Sequence, residues 1–201
     1  MKYDPDLSFY AHVKSETPGF EGYWDRHNVM TQVDANGEQQ GFRSMSDSLT
    51  INNFCNLPER AEERCTFLFR CYELESGASV YQIIATDYPG GAAELMVHRQ
   101  LGYLTWSPLS DRHKYLWKMN IKEMVQGTDR EGVFRGVTMD MINDKGEQWS
   151  FLGIRVKGGK LTPYRRKDNW QYWYCSVHSD GGADDPELIC DIYIHQLGLD
   201  D

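Results

Sequence analysis

The sequence predicts an all-β fold, an antiparallel up-and-down β-barrel of about eight to ten strands with few short helices. Apolar and polar side chains alternate through most of the chain, which is the period-two pattern of strands. Turn signals such as Asn36-Gly37 separate the alternating runs at short spacing, as in consecutive hairpins. No run has the spacing of a long amphipathic helix, which argues against βαβ architectures. A closed barrel or a two-sheet sandwich would then leave few strand edges exposed for pairing with other chains.

The N-terminal part of the chain is predicted to build the first hairpin. Residues 1–17 are expected to form a polar lead-in with one or two helical turns. Residues 20–33 and 42–51 alternate on either side of a turn, so both are predicted strands. Residues 52–63 contain Pro58 and several charges, and we expect a solvated excursion or a short helix there.

Further strands are predicted along the rest of the chain, at residues 64–74, 80–86, 94–106, 115–125, 132–142, 148–156, 161–166, 170–175 and 188–197. Residues 115–125 show the clearest alternation, because a strand would send all of their lysines to solvent. The final strand is expected to pair with the strand that contains Trp24 and so close the barrel.

Length and composition indicate one barrel domain over residues 1–201, since all-β barrels of this size form single domains. Aromatic residues make up 13% of the chain, including 6 Trp and 12 Tyr. Such a surplus suits either a wide aromatic core or a site for a flat apolar ligand.

The net charge of the chain argues against two classes of binding partner. The formal net charge of −9 repels phosphate backbones and anionic lipid headgroups, so we expect neither nucleic-acid binding nor membrane association. No run approaches the roughly 18 apolar residues of a membrane span, and the N-terminus lacks the apolar core of a secretory signal. A cytoplasmic monomer or homodimer is the expectation.

Cysteine usage also points to a reducing compartment. The chain contains five cysteines, an odd number, and no Cys-x-x-Cys pair. Cys65 and Cys71 stand in alternating patterns, where a thiol behaves as a small hydrophobic side chain.

Gly22-Tyr23-Trp24 lies on the first long predicted strand and is followed by repeated hairpins. A Gly-x-Trp in this setting resembles the lipocalin-like (calycin) β-barrel superfamily, in particular intracellular bacterial members such as uncharacterised lipocalin-like proteins and bilin lyases. The resemblance implies a barrel whose interior holds a small molecule. Only Gly22 and Trp24 correspond by position. The chain departs from secreted lipocalins by lacking a signal, paired cysteines and a Thr-Asp-Tyr motif.

Motifs for metal, cofactor and nucleophile chemistry are absent. The six histidines show neither His-x-His nor His-x-x-x-His spacing, so no metal site is predicted. The chain has no Gly-x-Ser-x-Gly, and its Gly-Gly pairs precede no helix that could cradle a phosphate. No cofactor is predicted.

Proton-transfer chemistry is the remaining catalytic candidate. His27 and Asp25 are expected on one face of the first strand, close enough for an acid–base pair, and Asp140 is a further carboxylate. Such pairs also occur on surfaces without a function.

Candidate ligand-binding residues are aromatic or basic side chains in strands. A buried arginine is costly unless it meets an acidic partner or an anionic ligand, although a solvated face is the alternative for each. The candidates are Trp24, Arg26, His98, Trp117, Arg135, Trp149, Arg155 and Tyr172.

Three functions remain open. The first is a barrel that binds a small apolar or aromatic molecule in its cavity. The second is a cofactor-independent enzyme, of the cyclase, isomerase or lyase type, in which His27 and Asp25 or Asp140 move a proton inside the barrel. The third is a purely structural interaction domain, which would have a filled interior.

Overall fold

The computed structural model describes residues 1–86, 91–98, 104–110, 114–127, 130–142, 148–155, 172–178 and 186–199. Within these ranges the all-β prediction is confirmed, because every described strand joins one antiparallel sheet. The strands are β1 (Lys2–Ser15), β2 (Gly22–Val33), β3 (Gln39–Asn52), β4 (Phe67–Glu73), β5 (Ser79–Ala85), β6 (Ala93–Val97), β7 (Leu104–Pro108), β8 (Leu116–Asn120), β9 (Glu123–Gln126), β10 (Gly132–Ile142), β11 (Gln148–Arg155), β12 (Tyr172–His178) and β13 (Cys190–Leu197). The helical content described is two 3₁₀ helices, η1 (Phe54–Asn56) and η2 (Pro58–Glu63).

The sheet closes partly into a ring. From β12 the path runs through β3, β2, β1, β13 and β10. β10 also pairs with β11, and β11 pairs with β12, so the path returns to its start. The last strand lies beside β1, with Val13 opposite Ile192, and β1 separates it from the strand of Trp24. The predicted pairing of the last strand with the strand of Trp24 is therefore wrong by one strand.

Three predicted elements differ from the structure, and the predicted strand at residues 161–166 lies outside the described residues. Residues 94–106 do not form one strand, because β6 and β7 pair with each other as the two arms of an antiparallel hairpin. Residues 1–17 do not form a helical lead-in, because β1 pairs with β13, β4 and β2 and is buried at Phe9 and Val13. Residues 115–125 break into β8 and β9, both of which pair with β10. The break lies opposite Gly136 of β10, which has a φ of +61° and leaves room for the Lys122 side chain.

The main hydrophobic core lies on the inner side of this curved sheet, since strands from all round the ring contribute buried side chains to it. Aromatic rings dominate its centre. Phe9 stacks on Phe69 with 4.8 Å between ring centroids, and Phe67 stacks on Trp106 at 5.5 Å. Trp24 packs edge-on against Phe67. Burial of these large rings stabilises the fold through the apolar area that it removes from water.

Gly22, half of the Gly-x-Trp motif, has a packing reason. A Cβ at this position would overlap the backbone carbonyl of Asn52 on the neighbouring strand. The close approach of β2 to the end of β3 therefore needs glycine. No helix in the described part of the chain is long and apolar enough to cross a membrane.

Candidate functional site

The two faces of β2 carry different chemistry. Trp24 belongs to the main core, whereas Tyr23 and Val29 pack with Phe54 and Cys55 in a second, smaller apolar cluster. Phe54 and Cys55 belong to η1, so the segment that contains η1 and η2 covers the outer face of the β2–β3 hairpin. Because strand side chains alternate, Asp25, which follows Trp24, points towards the segment of η1 and η2.

Asp25 lies under the cover and is completely buried. One carboxylate oxygen accepts a hydrogen bond from Asn52 Nδ2 at 2.6 Å. The other oxygen lies 2.8 Å from His27 Nδ1 and accepts from the Cys65 thiol at 3.1 Å. The Arg43 guanidinium lies beside the carboxylate, with Nε 3.3 Å from the oxygen that accepts from Asn52. A buried carboxylate with this many donors is stabilised by them, because each replaces a lost bond to water.

An irregularity in the β2–β3 ladder brings Asp25 and His27 together. Asp25 pairs with Thr50, but His27 pairs with Met45, so β3 carries extra residues opposite the Asp25–His27 step. The buried Thr50 hydroxyl bonds to the main-chain carbonyls of Asp25 and His27 at 2.9 and 2.7 Å. The His27 amide also donates to the Asp25 carboxylate at 3.1 Å. The backbone thus fixes the distance between the two side chains.

Arg43 occupies the centre of the cluster. Its terminal nitrogens donate to Cys55 Sγ and Cys65 Sγ at 3.6 and 3.7 Å, and Nη2 lies 3.1 Å from His27 Nδ1. Burial, the largest single influence, lowers the pKa of Arg43, but the charge of Asp25 and smaller contributions from nearby ionisable groups together outweigh it, so the pKa is raised. Arg43 therefore stays charged and balances the buried carboxylate.

The geometry assigns the tautomer of His27. Nδ1 lies closer to the Asp25 carboxylate than to the Arg43 guanidinium, and a carboxylate can only accept. Nδ1 therefore carries the proton and donates it to Asp25. In the neutral imidazole this leaves Nε2 with a lone pair, which is the form that can accept a proton.

The two thiols of the cluster are not activated nucleophiles. Burial, followed by the charge of Asp25, raises the pKa of Cys55 to about 12 and raises that of Cys65 well above its usual value. A reactive cysteine needs the opposite shift. Cys65 and Cys55 act here as protonated donors around Asp25.

A cleft opens beside this cluster, between the β3 edge of the hairpin and the η2 segment. It encloses about 390 Å³ and is lined by His27, Gly41, Phe42, Arg43, Arg60, Glu62, Glu63, Arg64 and Cys65. The His27 side chain is 14% exposed, whereas that of Asp25 is 1% exposed. The imidazole is thus the part of the pair that a molecule in the cleft can reach.

Asp25, His27 and Cys65 also form the set of potential metal ligands found among the described residues. One donor atom from each lies within 4.8 Å of the others, and the mixed oxygen, nitrogen and sulfur set would suit zinc. The Arg43 guanidinium, however, already contacts all three side chains and supplies the positive charge there. A metal ion at this place would have to displace it.

The other predicted site residues lie elsewhere. Asp140, on β10, accepts from Asn120 at 2.8 Å and is not a cleft residue. Arg135 is an exposed residue of β10 that pairs with Asp191 at 2.7 Å. Half-buried His98 follows β6 and does not line the cleft.

The predicted aromatic and arginine walls are only partly brought together. Trp24 and Trp117 are both buried in the main core. Arg26 is buried on β2 next to the Asp25–His27 pair. Trp149, Arg155 and Tyr172 lie on β11 and β12, where their side chains are outside the described part.

Sequence reasoning missed Arg43, Asn52, Cys55, Cys65, Arg60 and Arg64 as members of one site. The thiols looked like small hydrophobic residues, and residues 58–63 looked like a solvated loop. A polar Asn52 that directly follows buried Ile51, together with a charge-rich segment flanked by Cys55 and Cys65, was the available signal.

Comparisons with known proteins identify no relative: no family model, no curated protein and no solved structure matches the chain. Membership of the lipocalin-like superfamily therefore stays a prediction from the Gly-x-Trp motif.

Proposed function

We propose that this chain binds a small molecule in the cleft beside η2, and that His27, oriented by Asp25, transfers a proton to or from that molecule. The observation that carries the proposal is the 2.8 Å contact between His27 Nδ1 and a buried Asp25 carboxylate, with His27 lining the cleft. This is the second of the functions that the sequence leaves open, moved from the barrel interior to its outer face.

The arrangement supports general acid–base chemistry for a physical reason. A carboxylate that accepts from Nδ1 fixes the imidazole ring and its tautomer, and it stabilises the imidazolium that forms when Nε2 takes a proton. Cyclisation, isomerisation and elimination are reactions that such a group serves without a cofactor. The thiols Cys55 and Cys65 take no covalent part, since burial and Asp25 raise their pKa values.

The lining of the cleft indicates a polar ligand. Three arginines, two glutamates and a histidine line it, against a single aromatic ring, that of Phe42. Polar groups of this density orient a ligand through hydrogen bonds, whereas an apolar molecule would leave them without partners.

A ligand screen tests the proposal. Native mass spectrometry of gently purified protein identifies co-purified molecules, and a thermal-shift panel of polar metabolites extends the search. With any molecule that is turned over, His27→Gln should lower kcat by about 10²- to 10⁴-fold. His98→Gln is the matched control, because it removes a half-buried histidine outside the cleft and should leave kcat unchanged. Equal activity of His27→Gln and the wild type would remove His27 from the mechanism.

A second candidate, ligand binding inside the barrel, has one observation in its favour. The indole nitrogens of Trp106 and Trp117 are buried and have no hydrogen-bond acceptor within the described part of the chain. Buried donors normally have a partner, and a ligand with an acceptor group could provide it. An apolar or aromatic compound released on denaturation, and lost from Trp117→Phe, would support this function. Its presence unchanged in Trp117→Phe would count against it.

A further inference from the structure

The arginines of the cleft differ in how their charges are balanced. Arg43 meets the Asp25 carboxylate, and Arg60 forms an ion pair with Glu63. Arg64 meets no carboxylate in the part of the chain that the structure describes. It is the cleft arginine whose charge lacks an acidic partner there.

Arg64 is nonetheless held in a fixed position. Its Nε donates to the main-chain carbonyl of Cys55 at 3.0 Å. The guanidinium also lies over the ring of Tyr23, with 4.1 Å between Cζ and the ring centroid. Stacking on an aromatic face and one anchoring hydrogen bond orient the guanidinium, so little side-chain entropy remains to be lost on binding. The two terminal nitrogens are left as donors.

The charges around Arg64 leave room for an anion. Glu63 is neutralised by Arg60, and the remaining acidic residue of the lining, Glu62, is exposed at the rim. The charge of Arg64 reaches the neighbouring His12, where it helps burial to lower the pKa of that imidazole. Among the described residues Arg64 forms no ion pair with a carboxylate, so its guanidinium remains available to an anion.

We propose that Arg64 binds an anionic group, a carboxylate or a phosphate, of the molecule that the cleft takes. The planar guanidinium presents paired N–H donors that fit two oxygens of either group. This inference rests on the proposed function in placing the ligand beside His27. It adds the substrate class: a small anionic molecule.

Binding of simple anions tests the inference directly. Inorganic phosphate and benzoate are titrated into the full-length protein, with benzamide as the neutral analogue of benzoate. Calorimetry or NMR at low ionic strength measures the affinity. Benzoate should bind at least about tenfold more tightly than benzamide, because the charge-assisted hydrogen bonds are lost in the amide. Preference for phosphate or for benzoate separates the two anion classes.

Variants assign the binding to one residue. Arg64→Gln should weaken anion binding by about tenfold or more. Arg64→Lys should recover only part of the lost affinity, because an ammonium restores the charge but not the paired, planar N–H donors of the guanidinium. Arg70→Gln, on β4 and away from the cleft lining, is the matched control and should bind as the wild type does. Glu62→Gln should strengthen binding modestly by removing repulsion. Wild-type affinity in Arg64→Gln, or equal affinity for benzoate and benzamide, would overturn the inference.

The same titrations separate this inference from the proposed function. The Arg64 Nε–H signal and the His27 imidazole signals are followed together by NMR. Anions that shift Arg64 without shifting His27 support the anion site and contradict the proposed proton-transfer function. A ligand that shifts His27 and binds equally well to Arg64→Gln leaves the proposed function intact and contradicts the anion site.

Discussion

The inner face of β2 contributes to the hydrophobic core, whereas its outer face carries the candidate site, so one strand serves stability and chemistry with different side chains. Trp24 points into an aromatic core, where it packs against Phe67. Its neighbour Asp25 points the other way, into a polar cluster with Arg43 and His27. Both side chains are almost completely buried. Burial alone therefore does not distinguish a core position from a site position; the kind of partner does.

On the inner face the effect of a substitution depends on how well the side chains pack, and on the outer face it depends on how their charges are balanced. A missing ring inside leaves a void that neighbours fill only partly. A missing carboxylate outside leaves the charge of Arg43 buried without its counter-charge. Substitutions of the two neighbouring residues should thus differ in what they do to the cleft.

The largest effect is expected for Trp24→Ala. Loss of the indole should lower the free energy of unfolding by about 3–5 kcal/mol, because a large cavity opens in the main core. Urea denaturation measures it. Under native conditions the cleft should still bind its ligand, since Trp24 contributes nothing to the lining. Loss of ligand binding without a loss of stability would show that Trp24 supports the cleft and not the core.

Asp25→Asn should cost somewhat less, about 3 kcal/mol, since it leaves the buried Arg43 charge uncompensated. Unlike Trp24→Ala, it should also abolish the activity that depends on His27. Asp47→Asn, at an exposed position of β3, is the control and should change stability by less than about 0.5 kcal/mol. Equal stability of the two aspartate variants would show that the cluster carries no buried charge pair.

Gly22→Ala should lower the free energy of unfolding by about 1–3 kcal/mol, because the new Cβ meets the Asn52 carbonyl and the backbone must shift. Asn52 also holds Asp25, so the shift should weaken ligand binding in the cleft. Gly37→Ala provides the contrast. Its φ of +82° adds about 1–2 kcal/mol of local strain, but no atom lies near the new Cβ. Equal losses of ligand binding in the two variants would contradict this link.

The smallest expected effect is a pH dependence on the outer face. The rings of His12 and His195 lie 4.1 Å apart. Burial lowers the pKa of both below 6.5, helped at His12 by the charges of His195 and Arg64 and opposed at His195 by Glu131. The unfolded chain then binds more protons than the folded one, so their stabilisation is complete above pH about 6.5 and is lost as the pH falls through the folded-state pKa values.

Unfolding free energies measured between pH 5 and pH 7.5 should be level above pH about 6.5 and should fall as the pH drops below it, by the linkage of proton binding to folding. The slope should be shallower in His195→Gln, which removes one imidazole and its repulsion of the other. Parallel pH curves for this variant and the wild type would exclude the histidine pair as the cause.

Part of this molecule could be predicted from the sequence by local rules. Period-two alternation identified most strands, and the turn at Asn36-Gly37 identified the first hairpin. Alternation also placed Asp25 beside His27, and the two side chains do touch. These features depend on neighbours in the chain, which the sequence shows directly.

The rest depends on contacts between distant segments. Cys65 lies 40 positions from Asp25 in the chain, and its thiol donates to that carboxylate. Arg43 reaches the same group from the opposite strand, across an irregular register that no local pattern encodes. The first half of β1 is polar and lacks alternation, and its strand state comes from pairing with β4. Tertiary pairing decided these positions.

The protonation pattern of the His27 ring tests the central claim most directly. Nitrogen-resolved NMR of the imidazole, with His27→Gln to assign its signals, reports which ring nitrogen holds the proton. We expect a proton on Nδ1, protected from exchange by Asp25, and an unprotonated Nε2 whose signal changes when a ligand enters the cleft. A proton on Nε2, with Nδ1 accepting from Arg43, would contradict it, because the ring nitrogen of His27 not engaged with the cluster would then have no lone pair to take a proton.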